Sequence, residues 1–63
     1  METVLLIDSH SQKSGYWTGD AVPALETEID TLWGIRQVVS RRYDSRISVA
    51  PWTIEVRVPE SAL

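Results

Sequence analysis

Residues 24–43 read ALETEIDTLWGIRQVVSRRY, and the period assigned to their apolar residues decides the fold. At about 100° per residue, Leu25, Ile29, Leu32, Ile35, Val39 and Tyr43 fall within about 120° of arc, the stripe of an amphipathic helix. Thr27, Asp30, Gly34, Gln37 and Arg41 lie opposite. Pro23 suits a first helical turn, where its missing N–H has no partner to lose. Thr27-Glu28-Ile29-Asp30 offers a later start with capping-box spacing. Glu26, Glu28 and Asp30 precede Arg36, Arg41 and Arg42, the order that complements a helix dipole at about 0.3–1 kcal/mol per well-placed charge. Two features oppose a helix. Glu26 and Asp30 form a like-charge i,i+4 pair, and Gly34 in mid-helix costs about 1 kcal/mol relative to alanine. The balance predicts one charge-polarised helix over 24–43.

The flanks read as strands. Thr3 to Ile7 is β-branched and aliphatic, with Val4 and Leu6 on one face and Leu5 and Ile7 on the other, which predicts a central or partner-covered strand. Ser9 to Gly19 is polar and glycine-marked around Tyr16-Trp17-Thr18, and predicts either a hairpin returning from the first strand or an ordered aromatic loop. Ile47 and Val49 alternate with Ser48, and Ala50-Pro51 interrupts the run. Trp52, Ile54, Val56 and Val58 then alternate with Thr53, Glu55 and Arg57 until Pro59, a half-buried strand. Residues 60–63 read as a frayed tail. The order is strand, hairpin or loop, helix, strand. It predicts a single α+β domain over 1–63, with one amphipathic helix laid across a small three- to four-stranded sheet. If the first and last strands are parallel neighbours, the helix is the right-handed crossover between them.

Composition narrows the chemistry. A chain of 63 residues buries only about 60% of the surface it exposes when unfolded, so packing alone leaves a thin margin. No cysteine is present, which removes disulfides and thiolate zinc sites, and His10 is the single histidine. No cofactor or metal is expected, and self-association becomes a natural route to stability. Val4-Leu5-Leu6-Ile7 follows Glu2 rather than a basic region, unlike a signal peptide, and no apolar run approaches the roughly 20 residues that span a bilayer. A cytoplasmic protein is expected. The net charge is −3, with an acidic first half and a mildly basic second half.

Four constellations remain. Asp8-Ser9-His10-Ser11 holds acid, hydroxyl and imidazole side by side, but nucleophile, base and orienter normally converge from separate elements, so a side-chain-capped turn is expected. Arg41, Arg42 and Arg46 cluster at the end of the expected helix, where they would contact phosphates with Trp52 or Trp17 stacking nearby, or simply compensate the dipole. Arg36 falls within the apolar stripe and requires a partner: Glu55, Glu28 or another chain. Trp17, Trp33 and Trp52 with Tyr16 and Tyr43 are many large rings for so small a core. Tyr43 and Trp52 fit it by periodicity, whereas Trp33 and Tyr16-Trp17 fit an interface.

Tyr16, Trp17, Trp33 and Arg36 are therefore the expected protein interface. The leading expectation is a non-enzymatic protein-binding module, of the kind bacteria and phages use as regulators or inhibitors. It would act through an aromatic surface and a strand edge on another protein or a second copy of itself. The first alternative is a nucleic-acid-associated protein using Arg41, Arg42 and Arg46. The second is a small oligomeric enzyme using His10.

Overall fold

The stretch 24–43 is a β-hairpin, not a helix. In the computed structural model, which describes residues 1–47 and 49–60, five strands form one sheet. They are β1 (Glu2–Asp8), β2 (Lys13–Gly19), β3 (Glu28–Thr31), β4 (Gly34–Tyr43) and β5 (Trp52–Arg57). There is no α-helix among the described residues, so the expected α+β fold of three to four strands is replaced by an all-β fold of five. Ser48 and the 61–63 part of the expected tail lie outside the described residues.

The physical reason is local. Thr27, Ile29 and Thr31 are β-branched and alternate with Glu28 and Asp30. This period-2 pattern competes with the helical one, and β-branched side chains lose χ1 freedom in a helix. Gly34 then decides between them. Its φ is +107°, and Thr31 pairs with Gly34 across the two-residue loop Leu32-Trp33. Neither Leu32 nor Trp33 has positive φ, so the turn is of the type I kind, with Gly34 taking the left-handed residue that follows. The Thr31 hydroxyl accepts from the Trp33 amide at 3.1 Å and donates to the Gly34 carbonyl at 2.7 Å, closing the turn. Glu26 carries φ +69°, with its amide donating to the Val38 carbonyl while the Val38 amide donates to Thr27. This is a bulge with glutamate in the seat usually given to glycine. The dipole argument for the charge order therefore falls with the helix.

The sheet order is β2-β1-β5-β4-β3. β1 and β2 are an antiparallel hairpin running from Glu2↔Gly19 to Asp8↔Lys13, which resolves the hairpin-or-loop alternative over 9–19. β1 and β5 are parallel neighbours, from Leu5↔Thr53 to Asp8↔Val56, so β1 is flanked by a strand on each side, while its Leu5–Ile7 face has no second layer over it among the described residues. The chain between them returns through three strands and not through a helix.

The core lies on one face. Val4, Leu6, Val38, Ile54 and Val56 are fully buried, and Trp17, Val22, Ile29, Trp33 and Trp52 pack partly buried against them. The sheet curls around this core until its two edges meet. The Trp17 indole donates to the Asp30 carbonyl at 3.1 Å, joining β2 to β3. At the same seam Leu32 Cδ2 stands 3.0 Å from where a Cβ at Gly15 would sit, so the absence of a side chain there admits the tip of the β3–β4 hairpin. Among the described residues, no helix is long and apolar enough to cross a membrane.

Candidate functional site

Strand alternation would place residues 38, 40 and 42 of β4 on the core face, but a bulge changes the parity. Val38 pairs with Val56 and Ser40 with Glu55, leaving Val39 as the extra residue. Beyond it Arg41 stands opposite Ile54 and Tyr43 opposite Trp52, so both now share the concave face with the core, at its open end. The Arg41 guanidinium carbon sits 4.7 Å from the Trp52 ring centroid, and the Tyr43 and Trp52 rings meet at 5.2 Å with a 58° tilt. Cation and tilted aromatic pair are in the geometries their charge distributions favour.

This cluster is open to solvent. Trp52 is half-buried and Arg41 exposed, while Tyr43 is 57% exposed, contrary to the core position that helical periodicity assigned to it. Next to the pair, the Asp44 amide donates to the Pro51 carbonyl at 2.7 Å. Ile47 and Val49 are exposed as well.

The other arginines of the sequence cluster point elsewhere. Arg42 lies on the convex face, in a depression with Ile7, Ser40, Thr53 and Glu55. Arg46 donates through Nε and Nη2 to the Asp44 carboxylate, both at 3.0 Å. That bond, with the Arg46 amide adding to it, lowers the Asp44 pKa. Of the three, Arg41 alone faces the aromatic pair.

The expected interface residues are also divided. Tyr16 is on the convex face, opposite Leu5. Trp17, opposite Val4, lies on the concave face with Trp33, each partly buried against the core. Arg36 donates from Nε to Asp8 Oδ1 at 3.1 Å, so its partner is neither Glu55 nor Glu28. Asp8 is fully buried and also accepts the Ser11 hydroxyl at 2.7 Å and the Ser11 amide at 3.2 Å. Burial alone would raise the Asp8 pKa. The bonds from Ser11 and Arg36, with the arginine's charge, outweigh it and leave the carboxyl below its ordinary value.

Asp8 thus caps the turn that carries His10, whose side chain is exposed at the tip. With both Asp8 oxygens engaged by Ser11 and Arg36, the carboxylate is committed to the fold. Among the described residues, no group of three His, Asp or Glu side chains is placed to hold a metal ion.

Sequence reasoning set Arg41 near Trp52 but missed Tyr43 as the third member of the cluster. Its signal was the pairing of Tyr43 with Trp52, which a hairpin joining β4 to β5 would have implied. Comparison of the chain with protein-family models, with curated proteins and with solved structures finds no match.

Proposed function

We propose that this chain is a non-enzymatic protein-binding module whose recognition surface is the Arg41–Tyr43–Trp52 cluster with the adjoining residues 44–47 and 49–51. The observation that carries it is a half-buried tryptophan in contact with both an arginine and an exposed tyrosine at the open end of the sheet. Tryptophan, tyrosine and arginine dominate binding energy at interfaces, the two aromatics because they bury large areas at small conformational cost. Preorganised stacking reduces that cost further. The fitting partner presents an apolar side chain for the two rings and a carboxylate for Arg41. The proposal uses the aromatic surface and not a strand edge, because the sheet's two edges are turned towards each other across the Trp17–Asp30 bond.

Capture from cell extract on immobilised chain tests it, with wild type compared against a Tyr43→Ala/Arg41→Ala variant. The expected result is a protein retained by the wild type, lost with the variant, and quenching or shifting tryptophan emission when purified and added back. Identical capture by both chains removes the surface from consideration.

One observation favours a second reading. A cation over a ring beside another ring is also a platform on which bases stack. One arginine and a net charge of −3 give weak phosphate neutralisation, which places this reading second. Titration with a single-stranded oligonucleotide separates the two. Binding that weakens steeply with salt and vanishes in Arg41→Ala selects nucleic acid.

A further inference from the structure

The convex face of the sheet carries features that the concave cluster does not use. β1 places Leu5 and Ile7 there, opposite in pleat to the buried Val4 and Leu6, and no second layer covers them among the described residues. Tyr16 sits directly across from Leu5 on β2 and is 64% exposed. On the other side of β1 the face sinks into a depression of about 140 Å³ lined by Ile7, Ser40, Arg42, Thr53 and Glu55. The register places these in rows, Tyr16–Leu5–Thr53–Arg42 and Ser14–Ile7–Glu55–Ser40. Knob and hollow therefore lie on one face about 10 Å apart, two strand spacings.

We infer that this face binds a second copy of the chain in a two-fold dimer, the Tyr16 ring of each protomer entering the hollow of the other. A two-fold contact must be self-complementary, and this face has both halves of the fit. The hollow is of the order of one aromatic side chain. Its Arg42 guanidinium suits the face of a phenol ring, and its Glu55 carboxylate suits the phenol O–H as acceptor. Neither Arg42 nor Glu55 has an ion-pair partner among the described residues. With the axis passing over β1, Leu5 and Ile7 of the two copies meet at the centre and shed water together. Sheets packed face to face stand about 10 Å apart, within reach of a tyrosine from each side. Stable interfaces bury roughly 1,000 Å² or more, and a contact centred on Tyr16, Leu5 and Ile7 is expected to be reversible and concentration-dependent.

Sedimentation equilibrium over a wide concentration range tests this on the whole chain. The apparent mass is expected to rise with concentration from 7.1 kDa towards twice that value. Tyr16→Ala and Arg42→Glu are each expected to weaken the dimer by about tenfold or more. Tyr43→Ala, on the concave side, is expected to leave it unchanged. Circular dichroism shows whether each variant is folded, and both convex positions are exposed enough to tolerate the change. A wild type that stays monomeric at the highest concentrations overturns the proposal. So does a dimer indifferent to both convex substitutions, or a monomer whose Tyr16 surface is occupied only by a different protein. The Tyr43→Ala control keeps this result distinct from the fate of the concave site.

Discussion

The carboxylate of Asp8 on β1 and the guanidinium of Arg36 on β4 meet at 3.1 Å across β5, the strand that lies between them in the sheet. Asp8 is fully buried and the Arg36 side chain is 12% exposed. The pair, with Ser11 bonded to the same carboxylate, joins the β1–β2 turn to the β3–β4 hairpin beside the apolar core.

Removing one member of such a pair strands the other. Arg36→Ala is expected to cost about 3–5 kcal/mol, because Asp8 keeps its burial and loses its cation. A domain of this length has about 3–9 kcal/mol in total, so the variant loses a large share of its stability. Urea denaturation measures this, and a loss below about 1 kcal/mol would show that the pair is dispensable. An Asp8→Leu/Arg36→Met double variant is expected to recover much of the loss by replacing both charges with apolar volume.

The same pair sets an acid limit. The pKa of Asp8 in the fold lies below its ordinary 3.8, so the unfolded chain binds the proton more readily. The stabilisation is therefore complete above the ordinary value and is lost as the pH falls from there through the folded value. Thermal midpoints measured from pH 6 downwards are expected to fall in that range. An Asp8→Asn variant, less stable at pH 6, is expected to lose less on acidification. Parallel profiles for the two proteins would place the acid sensitivity elsewhere.

Two backbone positions make opposite predictions. Gly34→Ala forces a Cβ onto φ +107° and is expected to destabilise by about 1–2 kcal/mol. Glu26→Gly relieves a glutamate at φ +69° and is expected to stabilise by up to about 1 kcal/mol. Changes of the same sign in the two variants would contradict the hairpin and bulge described above.

The seam between β2 and β3 rests on Trp17. Trp17→Phe removes the indole donor to Asp30 and is expected to cost about 0.5–1.5 kcal/mol. Gly19→Ala places a Cβ inside the volume of the Trp17 ring and must displace it. Its tryptophan emission is expected to shift to the red, together with faster amide exchange in β3. Unchanged emission in Gly19→Ala would remove the ring from this position.

Some of the fold was legible and some was misread for identifiable reasons. β5 follows from an apolar alternation that matches only one period, and β1 from a short β-branched and aliphatic run that stops at Asp8. Residues 24–43 satisfy both periods, since Ile29, Leu32 and Ile35 suit a helical stripe while Thr27, Ile29 and Thr31 suit a strand. Gly34 is a small penalty to a helix and also the residue that a hairpin turn of this type requires. Once the hairpin forms, Leu32 and Ile35 become surface residues, and Tyr43 leaves the core for an exposed stack. Residue type alone points to the expected interface and carries no register to separate Tyr16 from Trp17, adjacent residues that the pleat sends to opposite faces.

By itself the sequence determined that this chain is small, free of cysteine and net acidic, and that it has a two-faced β1, an alternating β5, a turn at Asp8–Ser11 and an Arg36 in need of a carboxylate. Those features depend on residue type and near neighbours, which a linear reading can weigh. Only the tertiary structure decided that the carboxylate is Asp8, that Val39 bulges, and that Arg41 faces Trp52 while Arg42 faces the other way. Each of these depends on the register between strands distant in the chain. A shift of one residue in that register exchanges the two faces of a strand, and local propensity is blind to it.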